Sequence, residues 1–570
     1  MDYKKNVETW LNSSKVSEAD KALIRAMDDL TLQDAFGKNA EFGTAGMRAL
    51  MGPGTNRLNE FTLGRANIGF AKYLLAKFGE KAKTMGVVIS HDNRFNSREF
   101  TLLCAKIFNE MGIKAYIFDM LRPTPELSYA VRYMHACGGV MITASHNSKE
   151  YNGYKVYDET GCQLLPDAIA PLLGILAAMP DAVECEIPSI AKKGETITLG
   201  KDVDDTYVEL VKKCQVNPDL DKSDFKVIYS PQHGASLETA IRVFKEVGYN
   251  IIPVKEQCSH DPAFGGTKSP NPELAPAWEL SLEYAKRNSA DLAVMTDPDG
   301  DRCGLAFLSS KGTYERLTGN QSGALLIDYL FSQMREKGTM PEDPVMYDTI
   351  VTSSLGRDVA AHYGVKVETF LTGFKFIGGR VAYYEKLGKG PTFVFGYEES
   401  YGCLISPFVR DKDGIQAILL YTEMALFYKS KGIALDVAYE NLEKRFGYHY
   451  SALFDTYFEG VLGAAKMKEL MDGLHAHPLK ELAGLKVVAT EDYLNDIITY
   501  ADGSKKKIEG LPKSDVLKYV FEDKSTFAVR PSGTEPKIKF YVETVGDKEE
   551  GLKEKAELLN KDFRQVVGIK

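Results

Sequence analysis

The run Leu292-Ala293-Val294-Met295-Thr296 passes straight into Asp297-Pro298-Asp299-Gly300-Asp301-Arg302. An apolar strand that ends directly in a polar loop is the pattern of an open α/β sheet, where ligands bind beyond the carboxyl ends of the strands. Alternate residues of an extended backbone point the same way, so Asp297, Asp299 and Asp301 are expected to converge on one hard cation. Magnesium prefers such oxygen ligands and keeps room for a phosphate oxygen. Arg302 follows at once with a planar fork that suits phosphate or carboxylate. Metal plus arginine points to phosphoryl chemistry, where catalysis is mostly positioning and charge neutralisation.

Rival readings of the acidic loop fit less well. An EF-hand needs glycine and glutamate at its sixth and twelfth positions, where this chain has Arg302 and Leu308. A haloacid-dehalogenase-type phosphatase also sets two alternate aspartates after an apolar strand, but it has Thr or Val where Asp301 stands. A solvated acidic turn is the plain alternative, since D-P-D-G is rich in turn formers.

The strand-then-loop pattern recurs along the 570 residues, a length for roughly four domains. From about Thr62, Gly86 to Ser90, Lys114 to Phe118 and Gly139 to Thr143 read as strands between helical patterns. A second block from near Asp202 has strands at Phe225 to Tyr229 and Asp291 to Met295, and a third from near Thr318 has one at Thr392 to Phe395. Three such blocks, each giving one polar loop, would surround a single cleft, and they are compatible with a weak threefold repeat. The first forty residues look helical, with a packing role. From about Tyr448 the pattern changes: a helix-like stretch, a polar loop at Asp502 to Lys507, strands at Thr526 to Val529 and Ile538 to Val542, and a mixed-charge amphipathic helix from Asp547 to Val567.

Composition narrows the partners. A net charge of −9 argues against general nucleic-acid binding, yet local basic residues can still draw an anionic small substrate into a cleft. No apolar run approaches the ~20 residues of a membrane span, and Met1-Asp2-Tyr3-Lys4-Lys5-Asn6 lacks the apolar segment of a secretory signal. The eight cysteines are scattered without a C-x-x-C pair, which predicts reduced, mostly buried thiols in a cytoplasmic protein. The sequence carries no signal of oligomeric state.

Other loops carry candidate chemistry. Ser145, in Thr143-Ala144-Ser145-His146-Asn147, is either a nucleophile beyond a strand or a helix N-cap. Lys155, in Tyr151-Asn152-Gly153-Tyr154-Lys155, would move a proton if burial or nearby cations depress its pKa; alone it reads as a surface lysine. The paired glutamates of Gly396-Tyr397-Glu398-Glu399-Ser400-Tyr401-Gly402 suit the hydroxyls of a polyol. Arg530-Pro531-Ser532-Gly533-Thr534-Glu535-Pro536-Lys537 is either a hairpin loop or a phosphate cradle of N–H groups, hydroxyls and an arginine. Phe42-Gly43-Thr44-Ala45-Gly46-Met47-Arg48 and Leu371-Thr372-Gly373-Phe374-Lys375 are glycine-containing loops that end in a cation. His91, His135 and His233 have no assignable partner, although His233 sits in a loop that would fall near a cleft.

The ordered set T-A-S-H-N, D-P-D-G-D-R, G-Y-E-E-S and R-P-S-G-T-E-P resembles the α-D-phosphohexomutase superfamily, in its bacterial phosphoglucomutase branch. F-G-T-A-G-M-R and T-G-F-K-F-I-G agree, so the resemblance covers about Glu41 to Lys570. It implies three related α/β domains plus a smaller C-terminal α+β domain around a central cleft. The divisions are 1–201 with the helical extension and phosphoserine loop, 202–317 with the metal loop, 318–447 with the sugar loop and 448–570 with the phosphate loop. It implies that Ser145 is phosphorylated in the active enzyme and holds one Mg2+ together with Asp297, Asp299 and Asp301. Lys155 and His146 match proton-transfer candidates, and Arg48 and Arg302 match residues near the moving phosphate. Glu398 and Ser400 match sugar-hydroxyl contacts, Thr372, Gly373 and Lys375 the loop that reads sugar orientation, and Arg530, Ser532, Gly533 and Thr534 the grip on the other phosphate. The implied activity interconverts glucose 1-phosphate and glucose 6-phosphate through glucose 1,6-bisphosphate, which is both intermediate and activator. Phosphomannomutase, phosphopentomutase and bisphosphate synthase are rivals within the superfamily; a magnesium-dependent sugar phosphatase is the rival outside it. Some relatives have a histidine two residues beyond the serine of the third loop, where this chain has Gly402.

Overall fold

The computed structural model describes residues 2–43, 46–458, 461–532 and 537–569. Three sheets in it are built on one plan. In the first, Val87–His91, Ala115–Ile117 and Gly138–Ile142 run parallel, and Tyr151–Tyr157 returns antiparallel beside the third strand. The second repeats this with Lys226–Ser230, Asn250–Pro253, Leu292–Thr296 and the returning Cys303–Leu308. The third repeats it with Pro344–Thr349, Lys366–Phe370, Thr392–Glu398 and Gly402–Leu404. Across each sheet the order is fourth, third, first, second strand. Parallel neighbours need a crossover, whereas the third and fourth strands can be joined by a short reversal. The threefold repeat is therefore a repeat of topology, and the reversal is the same place in each unit.

Strands covered on both faces read as continuous apolar runs, and Leu292 to Met295 are all fully buried. In the first unit, Val87 and Ile89 pack with Phe100, Ile107 and Phe108 of helix Ser97–Glu110. Val88 and Met141 point the other way, toward Leu127 and Val131 of helix Thr124–Tyr133. That second cluster continues without a break through Val227, Tyr229, Leu292 and Val294 to Val345, Tyr347, Val394 and Phe395. One core thus unites three sheets. Helices Tyr3–Asn12, Glu18–Ala26 and Asp29–Phe36 precede them and share a small core around Trp10 and Phe36.

The C-terminal unit is an antiparallel sheet led by Tyr448–Tyr457 and Lys537–Gly546, with helices Val461–Ala476 and Leu552–Val566 in one cluster with Phe527 and Phe540. The stretch Asp502 to Lys507, expected as a loop, is instead a turn at Asp502-Gly503 followed by strand Lys505–Lys507, paired with Ile497–Tyr500. The final helix begins at Leu552 rather than Asp547, because Gly551 before it has φ of 86°. The unit is fastened to the third one by Glu543, whose Oε1 accepts from Ser353 Oγ at 2.5 Å and from the Ser354 N–H at 2.8 Å. His449 Nδ1 lies 3.2 Å from the same oxygen. Ile350, Leu371, Tyr493 and Val516 close an apolar seam beside it. Among the described residues no helix is long and apolar enough to cross a membrane. The cysteines are unpaired and mostly buried.

Candidate active site

Each of the three reversals carries a candidate loop. In the first unit the chain leaves Gly138–Ile142 and turns at Ser145, which has the left-handed φ of 53°. Such a conformation persists only where the surroundings over-determine it, and here they do. The Ser145 N–H donates to Thr143 Oγ1 at 2.8 Å, and Thr143 in turn donates to Asp92 at 2.6 Å. Arg94 pairs with Asp92 and gives its remaining N–H groups to the carbonyls of Ser145, Asn147, Ser148 and Tyr151, at 2.5 to 3.0 Å. Sequence reasoning missed Asp92 and Arg94; their one signal is a D-x-R group at the carboxyl end of an apolar strand. Held this way, the buried Ser145 Oγ donates to Asp297 Oδ2 at 2.7 Å and stands 3.2 Å from His146 Nδ1.

The second reversal is Asp297 to Arg302. Its carboxylates do converge, but not by the alternation of an extended strand. Pro298 and Gly300 make a tight turn, with the Gly300 N–H on the Asp297 carbonyl at 3.0 Å and Gly300 at φ 70°. The turn is buried, with Asp297, Asp299 and Asp301 at most 2% exposed, so it is no solvated acidic turn. Ligand oxygens of the three lie within 4.8 Å of one another. Asp299 Oδ1 and Asp301 Oδ1 are buried and have no hydrogen-bond partner among the described residues. Buried anionic oxygens without donors are costly, and a hard divalent cation is the group that satisfies several at once. These residues therefore fit a metal.

Two lysines flank the acids. Lys155 Nζ is 2.7 Å from Asp299 and 3.5 Å from Asp301, and Lys412 Nζ is 3.2 Å from Asp301. Burial opposes the charge on Lys155, but Asp299 and Asp301 outweigh it and hold its pKa above the ordinary lysine value. That is the reverse of the depressed lysine the sequence led us to consider, because carboxylates and not cations are its nearest neighbours. Burial likewise disfavours the Asp299 carboxylate, and Lys155 overcomes it and holds the group well below the usual range. Lys412 carried no recognised signal. A Cβ at Gly402 would come 2.0 Å from the Lys412 Cδ, so the lysine stem fills the space that a side chain at 402 would take.

A cleft of about 810 Å³ joins these loops. Arg48, Ser145, His146 and Lys155 line it from the first unit, and Asp301 and Arg302 from the second. Thr372, Gly373, Lys375, Glu398 and Ser400 line it from the third, and Arg530 and Ser532 from the fourth. Asp297 and Asp299 lie buried behind its wall. Gly533 and Thr534 lie outside the described residues. Arg48 sits opposite Gly153 in its sheet and donates to Asn147 Oδ1 at 2.8 Å. Burial, with Arg302 and Arg48 adding, pushes the His146 pKa well below its ordinary value, which leaves a neutral imidazole. Arg302 pairs closely with Glu273, an acid no motif had flagged, and its backbone N–H donates to Asp297 Oδ1 at 3.0 Å. Glu398 accepts from the Gly373 N–H at 3.0 Å and so ties two loops of the third unit together. Burial lowers Lys375 to about 8 and, with Glu398, raises Glu399 to about 7. At the far end, burial and the charges of Arg530 and Lys537 lower the Lys539 pKa, the mark of a concentrated positive patch. His233 lies outside this lining; its ring bridges the Ser259 carbonyl and the Gly266 N–H.

A serine hydroxyl on a buried acid cluster, facing a basic patch across a cleft shared by four units, defines a phosphohexomutase-type enzyme. The chain belongs to the phosphoglucomutase/phosphomannomutase family, whose α/β/α domains I, II and III match residues 39–179, 205–309 and 318–446, and whose C-terminal domain matches 457–561. It is a phosphomutase and hence an isomerase. It is 37% identical over 513 residues to the phosphoglucomutase of Staphylococcus epidermidis RP62A, covering 90% of this chain and 91% of that one. It is 36% identical over 541 residues to the phosphoglucomutase of Staphylococcus aureus MRSA252, covering 94% and 95%. The open form of Paramecium parafusin shares the fold, with a TM-score of 0.66 at 19% identity over 93% of this chain and 94% of that one.

Proposed function

We propose that the chain interconverts glucose 1-phosphate and glucose 6-phosphate, with Ser145 as the residue that carries the phosphoryl group. The observation that carries this reading is Ser145 Oγ on Asp297 at 2.7 Å, beside two orphaned carboxylate oxygens, with a second basic grip in the same cleft. A hydrolase needs one phosphate site; a mutase whose intermediate carries two phosphates needs both.

In this reading a sugar hydroxyl attacks the phosphorus of phosphorylated Ser145. The bond to Oγ breaks, the hydroxyl proton passes to the neutral imidazole of His146, and Lys155, held as an ammonium, is the acid candidate that returns a proton to Oγ. The product, glucose 1,6-bisphosphate, turns end for end, and its other phosphate returns to Ser145. Arg530 and Ser532, with Gly533 and Thr534, grip the phosphate that is not moving, while Arg48 and Arg302 lie against the one that is. Glu398 and Ser400 accept sugar hydroxyls, and Thr372, Gly373 and Lys375 read the orientation of the ring. Asp297, Asp299, Asp301 and the phosphate on Ser145 would hold Mg2+, which supplies neutralisation of charge on the transferring group. Unpaired cysteines accord with a cytoplasmic site of action.

The test is Ser145→Ala in an assay primed with a trace of glucose 1,6-bisphosphate. Conversion is expected to fall by at least about 10³-fold, with sugar-phosphate binding kept, while mass measurement finds phosphate on Ser145 of the parent only. Near-parental turnover by the variant sinks the assignment. Release of inorganic phosphate without isomerisation favours the phosphatase, and kcat/KM on glucose, mannose and pentose 1-phosphates separates the mutases.

A further inference from the structure

We infer that Thr124 is a positioning residue for the metal loop, fixing the Asp299 carboxylate from the neighbouring unit so that one oxygen is left for a cation. This rests on reading the three aspartates as metal ligands. Thr124 opens helix Thr124–Tyr133 of the first unit and is fully buried. Its backbone N–H donates to the Asp299 carbonyl at 2.8 Å, and its Oγ1 donates to Asp299 Oδ2 at 3.0 Å. Pro123 presses on the next residue of the loop: a Cβ on Gly300 would come 2.8 Å from the Pro123 Cβ. Two hydrogen bonds and one close approach thus set the acidic turn against the start of this helix.

The consequence shows at the carboxylate. Oδ2 accepts from both Thr124 and Lys155, whereas the buried Oδ1 accepts from none of the described residues. The terminal torsion of an aspartate is broad and roughly two-fold, so the group needs donors on one oxygen to hold its rotation. Lysine reaches from a flexible stem and follows the carboxylate. Threonine, anchored by its own backbone bond to the same residue, does not. Hydrogen bonds of this kind orient ligands in metal sites generally.

The experiment measures Mg2+ binding to the metal-free full chain by titration calorimetry. Thr124→Val keeps the shape and removes the donor, and Thr124→Ala removes it with no demand on packing. Both are expected to weaken Mg2+ binding about tenfold. Thr124→Ser, which restores the hydroxyl, is expected to bind within about twofold of the parent. Parent-like affinity in the Val and Ala variants, or a Ser variant as weak as they are, overturns the role of the hydroxyl. Asp299→Asn is expected to lose Mg2+ binding. If it binds as the parent does, the metal-ligand reading fails, whatever Thr124 does.

Discussion

Ser145 and Lys375 show how burial sets chemistry one residue at a time. The strained Ser145 backbone costs about 1–3 kcal/mol and survives because Arg94 collects four carbonyls of the loop around it. At Lys375 burial, opposed in part by Cys162 and aided by Arg530, lowers the ammonium to about 8. Below that pH it is a cation in the cleft, and above it a neutral amine. KM for glucose 1-phosphate is therefore expected to rise several-fold between about pH 7 and about pH 9. Lys375→Arg, which stays charged, should flatten that rise in a profile of kcat/KM against pH. An identical profile for parent and variant would remove Lys375 from sugar-phosphate binding.

At the scale of elements, helix Val461–Ala476 packs on the core through Met471 and Leu474 and carries one histidine between two acids. His475 Nε2 donates to Asp515 Oδ1 at 2.8 Å, and Nδ1 lies 3.0 Å from Asp492 Oδ1. Burial lowers its pKa and the two carboxylates more than reverse that, so the folded value lies above the ordinary 6.5. The protonated form is thus favoured by folding. Its contribution is complete below about pH 6.5 and is lost as pH rises through the raised folded value. The thermal midpoint of the C-terminal domain, followed by circular dichroism, should fall by a few degrees over that window, and His475→Gln should abolish the fall. The elements themselves differ in how plainly the sequence announces them. Leu292–Thr296 is buried on both faces and reads as an apolar run, whereas Asn250–Pro253 and Lys366–Phe370 are sheet-edge strands, half exposed, and carry none. The loops of the cleft stand out because acids, hydroxyls and cations crowd into a few positions. Arg94, Thr124, Glu273 and Lys412 do not, since each acts through partners far away in sequence; the carbonyls on Arg94 are 51 to 57 residues distant. Local pattern finds the loops of the cleft and misses residues brought beside them by long-range contacts, whether they line it, as Glu273 and Lys412 do, or brace its walls, as Arg94 and Thr124 do.

On the scale of the whole molecule, one core runs through three units and the fourth has its own. The joint between them is Glu543 on the Ser353 and Ser354 donors, with His449 alongside and an apolar seam. Glu543→Ala removes the acceptor and leaves the buried donors unpaired, at about 1–3 kcal/mol. KM for glucose 1-phosphate is expected to rise about tenfold and the radius of gyration from X-ray scattering to increase; no change in either would show that the joint does not set the domain angle. The separate cores have a further consequence for how such an enzyme goes wrong. On the proposed phosphoserine reading, the serine and acid loops would stay intact if the fourth unit swung away, so the phosphoserine would still be made while water could reach it. Such a molecule would leak: it would lose phosphate between encounters with sugar and fall idle until bisphosphate primed it again. Damage at residues far from Ser145 would then show first as a growing appetite for primer, well before it shows as a slower turnover.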